Sequence, residues 1–320
     1  MGRPVEWPHR MRPTGAPTDV QPTYLDATSL GRDSAWRSVI GAVAVFAVWE
    51  LSGMAGAAGA DALASRLRLP APYDVMLRLS GAFLASVGLV GALWLVQRAL
   101  HGRTLRSLVT FGPRASWKRM LTGAGVWAAI LALTEAIGAL ADPSAYRLTI
   151  QPGPLAVSLL TVVPLIALQA VGEELYFRGY LMQALARWTR ARWLLVPAGA
   201  LLFALPHLAN PEVTAGGWLA VVPYMAMGGF LTAVALHDGR LELVIGLHVA
   251  NNVTAAVIVG SNGSVLAGTA PLVTTSASSP AITLAVLAVQ AAAFWVVLLR
   301  PGRAAKASAG PEEAVVRRAT

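Results

Sequence analysis

The chain has 320 residues, of which 56% are hydrophobic and 13% charged, with a formal net charge of +9 and no cysteine. A soluble domain carries about 25% charged residues and needs them to clothe a water-facing surface. These proportions therefore exclude a soluble fold and imply a polytopic membrane protein. The lack of Cys also excludes a disulfide scaffold, a thiol nucleophile and thiolate metal sites.

Residues 1–37 are polar and interrupted by Pro4, Pro8, Pro13, Pro17 and Pro22, with no apolar segment or small-residue cleavage site of a secretory signal. They are expected to form a cytosolic tail without fixed structure. Apolar stretches follow at 38–60, 75–97, 119–141, 154–176, 193–209, 217–237, 241–260 and 280–299, each close to the roughly 20 residues that cross a bilayer core. The predicted fold is all-α, with about eight transmembrane helices forming one unit over 38–299. A basic tail, 300–320, is expected to be cytosolic and disordered. No internal repeat is visible, which disfavours an inverted-repeat transporter.

The net positive charge would suggest nucleic acid as a partner if it were spread over a soluble surface. Instead, 21 of the 25 Lys and Arg residues fall in alternate connecting segments and the two tails; Arg66, Arg68, Arg78 and Arg147 fall on the other side. The positive-inside rule then places both termini in the cytoplasm. Membrane lipid becomes the expected partner and nucleic acid does not. Trp36, Trp117, Trp188, Trp193 and Trp218 lie at predicted span ends, where amphipathic rings suit the headgroup layer.

An ionisable group inside a span costs several kcal/mol unless it faces a cavity or a partner. Glu50, Glu135, Glu173, Glu174, Arg178, His207 and His248 meet that description, with Asn252 beside the last. Glu174 and Arg178 are four apart and can pair on one helix face, whereas Glu173 points about 100° away and stays available for chemistry. An interfacial charge cluster explains these three equally well. A single His207 can hydrogen-bond a backbone carbonyl, and His248 with Asn252, also four apart, can simply join helices. Glu50 and Glu135 are expected to pair with polar groups inside the bundle. Pro164 and Pro206 interrupt spans and can bend them.

Depth makes the segments converge. If the fourth helix continues to Arg187, Glu173 lies about 21 Å from that basic end; His207 lies about 22 Å from Arg192 on the next helix. His248 lies about 12 Å from Arg240, so a modest tilt brings it close. A fourth helix ending at Glu173 would break this convergence.

Three motifs, Glu173-Glu174-x-x-x-Arg178, Phe203-x-x-x-His207 and His248-x-x-x-Asn252, on predicted spans four, five and seven, resemble those of the CPBP family of intramembrane proteases. That family includes the type II CAAX prenyl endopeptidases and the bacteriocin-immunity (Abi) proteins. The resemblance covers about 150–260 and implies a protease site buried in the membrane and open to the cytosol. Peptide hydrolysis needs a base to activate water and donors for the oxyanion. On this reading Glu173, helped by His207, activates the water, while His248 and Asn252 donate to the oxyanion; Glu174, Arg178 and Phe203 support them. The resemblance also raises zinc as a cofactor, with Glu173, His207 and His248 as ligands. With no HExxH present, an obligatory metal is not expected. The expected substrate is a peptide or membrane protein. The richness in Ala, Gly, Val and Arg suggests a bacterial plasma membrane, where prenylated substrates are not expected. A non-catalytic immunity or scaffold protein of the same family is the alternative, and a transporter the next.

Overall fold

The computed structural model of the protein describes residues 21–276 and 278–300. The expected tails at 1–20 and 301–320 lie outside the described residues. Eight helices form the body of the fold: α1 (Ala35–Leu67), α2 (Tyr73–His101), α3 (Trp117–Ala141), α4 (Pro152–Leu185), α5 (Arg192–Ala209), α6 (Trp218–Asp238), α7 (Glu242–Val257) and α8 (Pro280–Leu298). All but α7 are long and apolar enough to cross a bilayer. The chain is an all-α polytopic membrane protein.

The expectation of eight spans is corrected at α7, which has 16 residues. Its apolar run was expected to continue to residue 260, but the helix ends at Val257 and residues Val259–Ser261 form a strand, β2. Hydropathy cannot tell a lipid-facing helix from one wrapped by protein, and α7 is the latter: every residue from Glu242 to His248 is buried. Glycine brings α3 and α7 together. A Cβ on Gly246 would stand 1.9 Å from the Met120 carbonyl oxygen, and one on Gly123 would stand 2.3 Å from that of Leu243. The helices therefore meet backbone to backbone, the close approach that small residues permit in membrane bundles.

α4 has 34 residues, about 51 Å of helix, and so runs well beyond its apolar stretch. It changes pitch twice on the way. Thr161 breaks the regular pattern three residues before Pro164, so the proline falls in the first turn of the following segment, where its missing N–H leaves no bond unmade. Residues Glu174–Leu181 then form a π-helical segment that includes Glu174 and Arg178; such widened turns are found mostly at functional sites. In α5 the helix tightens to 3₁₀ geometry over Leu205–Ala209, at Pro206 and His207.

The N-terminal region is ordered from before position 38. Residues Tyr24–Leu30 form a 3₁₀ turn with Tyr24, Leu25 and Ala27 buried. The Gln183 amide donates to the carbonyls of Tyr24 (2.9 Å) and Ser107 (2.8 Å), and Arg103 donates to Gln183 Oε1 (2.9 Å). The Tyr24 N–H donates to the Gly239 carbonyl at 2.9 Å. This part of the polar tail thus packs across the basic ends of α4 and α6, because its apolar side chains are buried while neighbouring polar groups satisfy its backbone.

Three short strands, β1 (Tyr146–Leu148), β2 and β3 (Val273–Thr275), form a small sheet in the order β1-β3-β2. β1 pairs antiparallel and β2 parallel to β3. No strand was expected from the sequence. The sheet ties the end of α7 to the chain following α3. Tyr146 donates to Glu135 at 3.0 Å, giving that carboxylate its partner. Burial, with Glu135 next in effect, pushes the Tyr146 hydroxyl up to about 12, so it remains a neutral donor at physiological pH. Glu50, by contrast, is exposed on the outer face of α1 rather than paired within the bundle. Trp36, Trp117, Trp188, Trp193 and Trp218 are all exposed at or near helix ends.

Candidate active site

The site forms where α4, α5 and α7 meet. Because α4 extends to Leu185, Glu173 and Glu174 lie in mid-helix, as the convergence requires. Glu173 is 2% exposed, and Glu174 and Arg178 are fully buried. A buried charge must be neutralised by a partner and hydrogen-bonded. Arg178 supplies this for Glu174: Nη1 donates to Oε1 at 2.8 Å and Nη2 donates to the Gly228 carbonyl of α6 at 3.1 Å. Its guanidinium also lies 4.3 Å from the Phe203 ring centroid.

His248 joins the two carboxylates. Its Nδ1 is 2.8 Å from Glu174 Oε1, and its Nε2 is 3.8 Å from Glu173 Oε2. Asn252 Nδ2 lies 3.4 Å from the same Nε2. Glu174 therefore does more than pair with Arg178, as the sequence suggested: it also orients His248 from behind. A carboxylate accepts only, so Nδ1 carries the proton shared with Glu174, and Nε2 is the atom turned to Glu173 and Asn252.

His207 is positioned differently. Its Nδ1 is 2.7 Å from the Phe203 carbonyl, which makes Nδ1 the donor and leaves Nε2 as the nitrogen available for chemistry. The Phe203 ring packs against both imidazoles, 4.7 Å from His207 and 5.7 Å from His248 in ring centroids. The bland reading of His207, a bond to a backbone carbonyl, thus holds for one nitrogen of the ring. His207 and Asn252 are only partly buried, whereas Glu173, Glu174, Arg178 and His248 are enclosed. The cluster therefore has a closed floor and an accessible side.

Several site residues carried no recognisable sequence signal. Gln169, four residues before Glu173, donates to its Oε1 at 2.9 Å; the spacing alone could have suggested it. Tyr224 of α6 stacks on His207 with centroids 4.3 Å apart. Its hydroxyl donates to Glu212, whose other oxygen accepts the Val265 N–H at 3.1 Å. Asn251 and Trp127 stand behind Asn252. Tyr224, Glu212 and Trp127 come from elements distant in sequence from the residues they serve, where no spacing rule applies.

Among the described residues no three His, Asp or Glu side chains are grouped to hold a metal ion. Both ring nitrogens of His248 face polar partners, and His207 Nδ1 is taken by the Phe203 carbonyl. Glu173, His207 and His248 as placed do not form a ligand set.

Residues 155–254, which carry every one of these motif residues, match the type II CAAX prenyl endopeptidase Rce1-like family. The motif-bearing core is therefore similar to that family. "Uncharacterized protein YyaK" of Bacillus subtilis (strain 168) is 28% identical over 192 residues, an alignment covering 60% of this chain and 64% of that relative. No solved structure matches the chain. The similarity to that family, together with seven helices of spanning length among the described residues, marks an integral membrane protein.

Proposed function

We propose that the chain is an intramembrane endopeptidase that hydrolyses a peptide bond with a water activated by Glu173. The observation that carries this reading is that Glu173 Oε2 and His248 Nε2 face each other across 3.8 Å, on a floor closed by Glu174 and Arg178. Gln169 holds Oε1, so Oε2 is the oxygen that takes the proton from water. His207 Nε2 assists from the accessible side. The resulting hydroxide adds to the carbonyl carbon, and the proton taken by Glu173 passes by way of His248 Nε2 to the amine as the C–N bond breaks.

Asn252 and His248 face the developing oxyanion. In the neutral ring His248 Nε2 accepts from Asn252. When the ring takes the water-derived proton from Glu173 onto Nε2, and until that proton leaves with the amine, Glu174 on Nδ1 stabilises the imidazolium, in the manner of a carboxylate behind a catalytic imidazole. Nε2 then becomes a donor and releases the Asn252 amide, so that both N–H groups serve the oxyanion. The substrate is a peptide or membrane protein reached from the cytosolic side of a bacterial plasma membrane. Glu173→Ala and His207→Ala in purified, folded protein should each abolish cleavage of a reporter peptide, a loss of at least about 10²-fold. Retained cleavage in either variant would overturn the assignment and favour a non-catalytic scaffold.

A further inference from the structure

Catalysis through Asn252 depends on which end of its carboxamide faces the site. Nitrogen towards His248 supplies a donor for the oxyanion; oxygen there would repel it. The two ends have almost the same shape, so packing alone does not choose between them. We infer that Trp127, through Asn251, sets the direction of the Asn252 amide and with it the tautomer of His248. This inference rests on the proteolytic reading above for its kinetic consequence, but not for its structural one.

The chain of bonds begins at a group with one possible polarity. Trp127 is fully buried, and its indole N–H can only donate. It lies 3.2 Å from Asn251 Oδ1, so oxygen must be the end of Asn251 facing α3. Asn251 Nδ2 is then directed to Asn252 Oδ1, also at 3.2 Å. That leaves Asn252 Nδ2 facing His248 Nε2 at 3.4 Å, so in the resting site the ring proton belongs on Nδ1. At the far end Glu174, an acceptor, requires that same Nδ1 proton at 2.8 Å. An indole and a carboxylate on different helices thus specify one tautomer from opposite sides. Trp127 is held by Phe230, stacked at 5.8 Å, and by Phe294, edge-on at 5.8 Å. The close approach of α3 and α7 at Gly123 and Gly246 brings the indole within reach of Asn251. Trp127 and Asn251 are positioning residues.

Asn251→Asp replaces the donor facing Asn252 with an acceptor, so Asn252 must turn its nitrogen away from the site. Trp127→Phe removes the indole N–H while retaining a ring between Phe230 and Phe294. The experiment compares both with wild-type protein in detergent. It measures kcat and KM on a reporter peptide, thermal unfolding, and the side-chain ¹⁵N signals of His248, assigned by their loss in His248→Gln. Asn251→Asp should lower kcat about 10²-fold, the scale of losing one oxyanion donor, with KM unchanged. Its His248 signals should move towards those of the doubly protonated ring, because the reversed Asn252 offers an acceptor to Nε2 while Glu174 keeps the proton on Nδ1. Trp127→Phe should show a smaller loss of kcat, about tenfold, with the Nε2 signal divided between the two environments. Wild-type kcat with an unmoved ¹⁵N pattern in Asn251→Asp would overturn the inference, as would losses that only follow the fraction of unfolded protein. If the ¹⁵N pattern responds as expected but wild-type protein cleaves nothing, the positioning role stands and the proteolytic reading fails.

Discussion

Glu173 and Glu174 are neighbours in sequence with opposite environments. Glu174 is locked between Arg178 and His248 at 2.8 Å each, whereas Glu173 presents one oxygen to a 3.8 Å gap. The difference follows from the roughly 100° step between successive residues of a helix. Charges enclosed in this way tolerate the loss of a partner poorly. Arg178→Ala should cost about 3–5 kcal/mol, because it leaves Glu174 buried and uncompensated. Glu173→Gln should leave the melting temperature close to that of the wild type while cleavage is lost. Thermal unfolding in detergent, run beside the reporter assay, separates the two. Comparable destabilisation in both variants would show that Glu173 is also structural. The pairing of Glu174 with Arg178 was legible from their spacing, but the second bond, from Glu174 to His248, was not. Their 74-residue separation bears no relation to helical periodicity. Glu50 shows the reverse error: a polar residue in an apolar run was expected to face inward, yet it is exposed. The hydropathy of a segment does not report which way one residue points.

At the scale of elements, the site depends on two irregularities. The π-helical segment over Glu174–Leu181 and the 3₁₀ turn over Leu205–Ala209 each contain a motif residue. The proline beside His207 hinted at the second, and nothing in the composition of α4 hinted at the first. The packing of α7 on α3 is a further element-scale requirement, since it brings Trp127 to Asn251. Gly246→Ala would place a methyl carbon 1.9 Å from the Met120 carbonyl oxygen, a contact that no side-chain rotation relieves. The expected cost reaches or exceeds the about 1–3 kcal/mol of ordinary overpacking, and activity should fall with it. Gly125→Ala, which meets open space on the same α3 helix, should be near neutral. Equal melting temperatures for the two variants would contradict the proposed helix contact.

At the scale of the whole molecule, the asymmetry of the cations sets an orientation. With Arg178 buried in the site, 20 of the 25 Lys and Arg residues fall on one side. Though short, α7 runs alongside α3 in the same direction, Glu242 beside Ser116 and Asn251 beside Trp127, and so carries the chain back across the bundle. Both termini and the loop between α2 and α3 are therefore proposed to be cytoplasmic. The absence of native cysteine makes this directly measurable with single-cysteine variants. Cysteine at Arg114 should react with an impermeant reagent only from the cytoplasmic face, and cysteine at Arg147 only from the opposite face. The reverse pattern would invert the orientation and move the accessible side of the site away from the cytosol.

Composition and charge by themselves determined that this is a helical membrane protein, because scarcity of charge and spanning-length apolar runs depend only on residue content and order. Motif spacing likewise placed Glu174 with Arg178, and His248 with Asn252, on shared helix faces. Tertiary structure alone decided that α7 is a short buried helix, that residues 24–30 pack rather than trail, and that Phe203 packs against both imidazoles. It alone revealed that Trp127 and Asn251 stand behind Asn252. These are contacts between elements far apart in the chain, and they exist only once helices approach closely enough for one side chain to satisfy another.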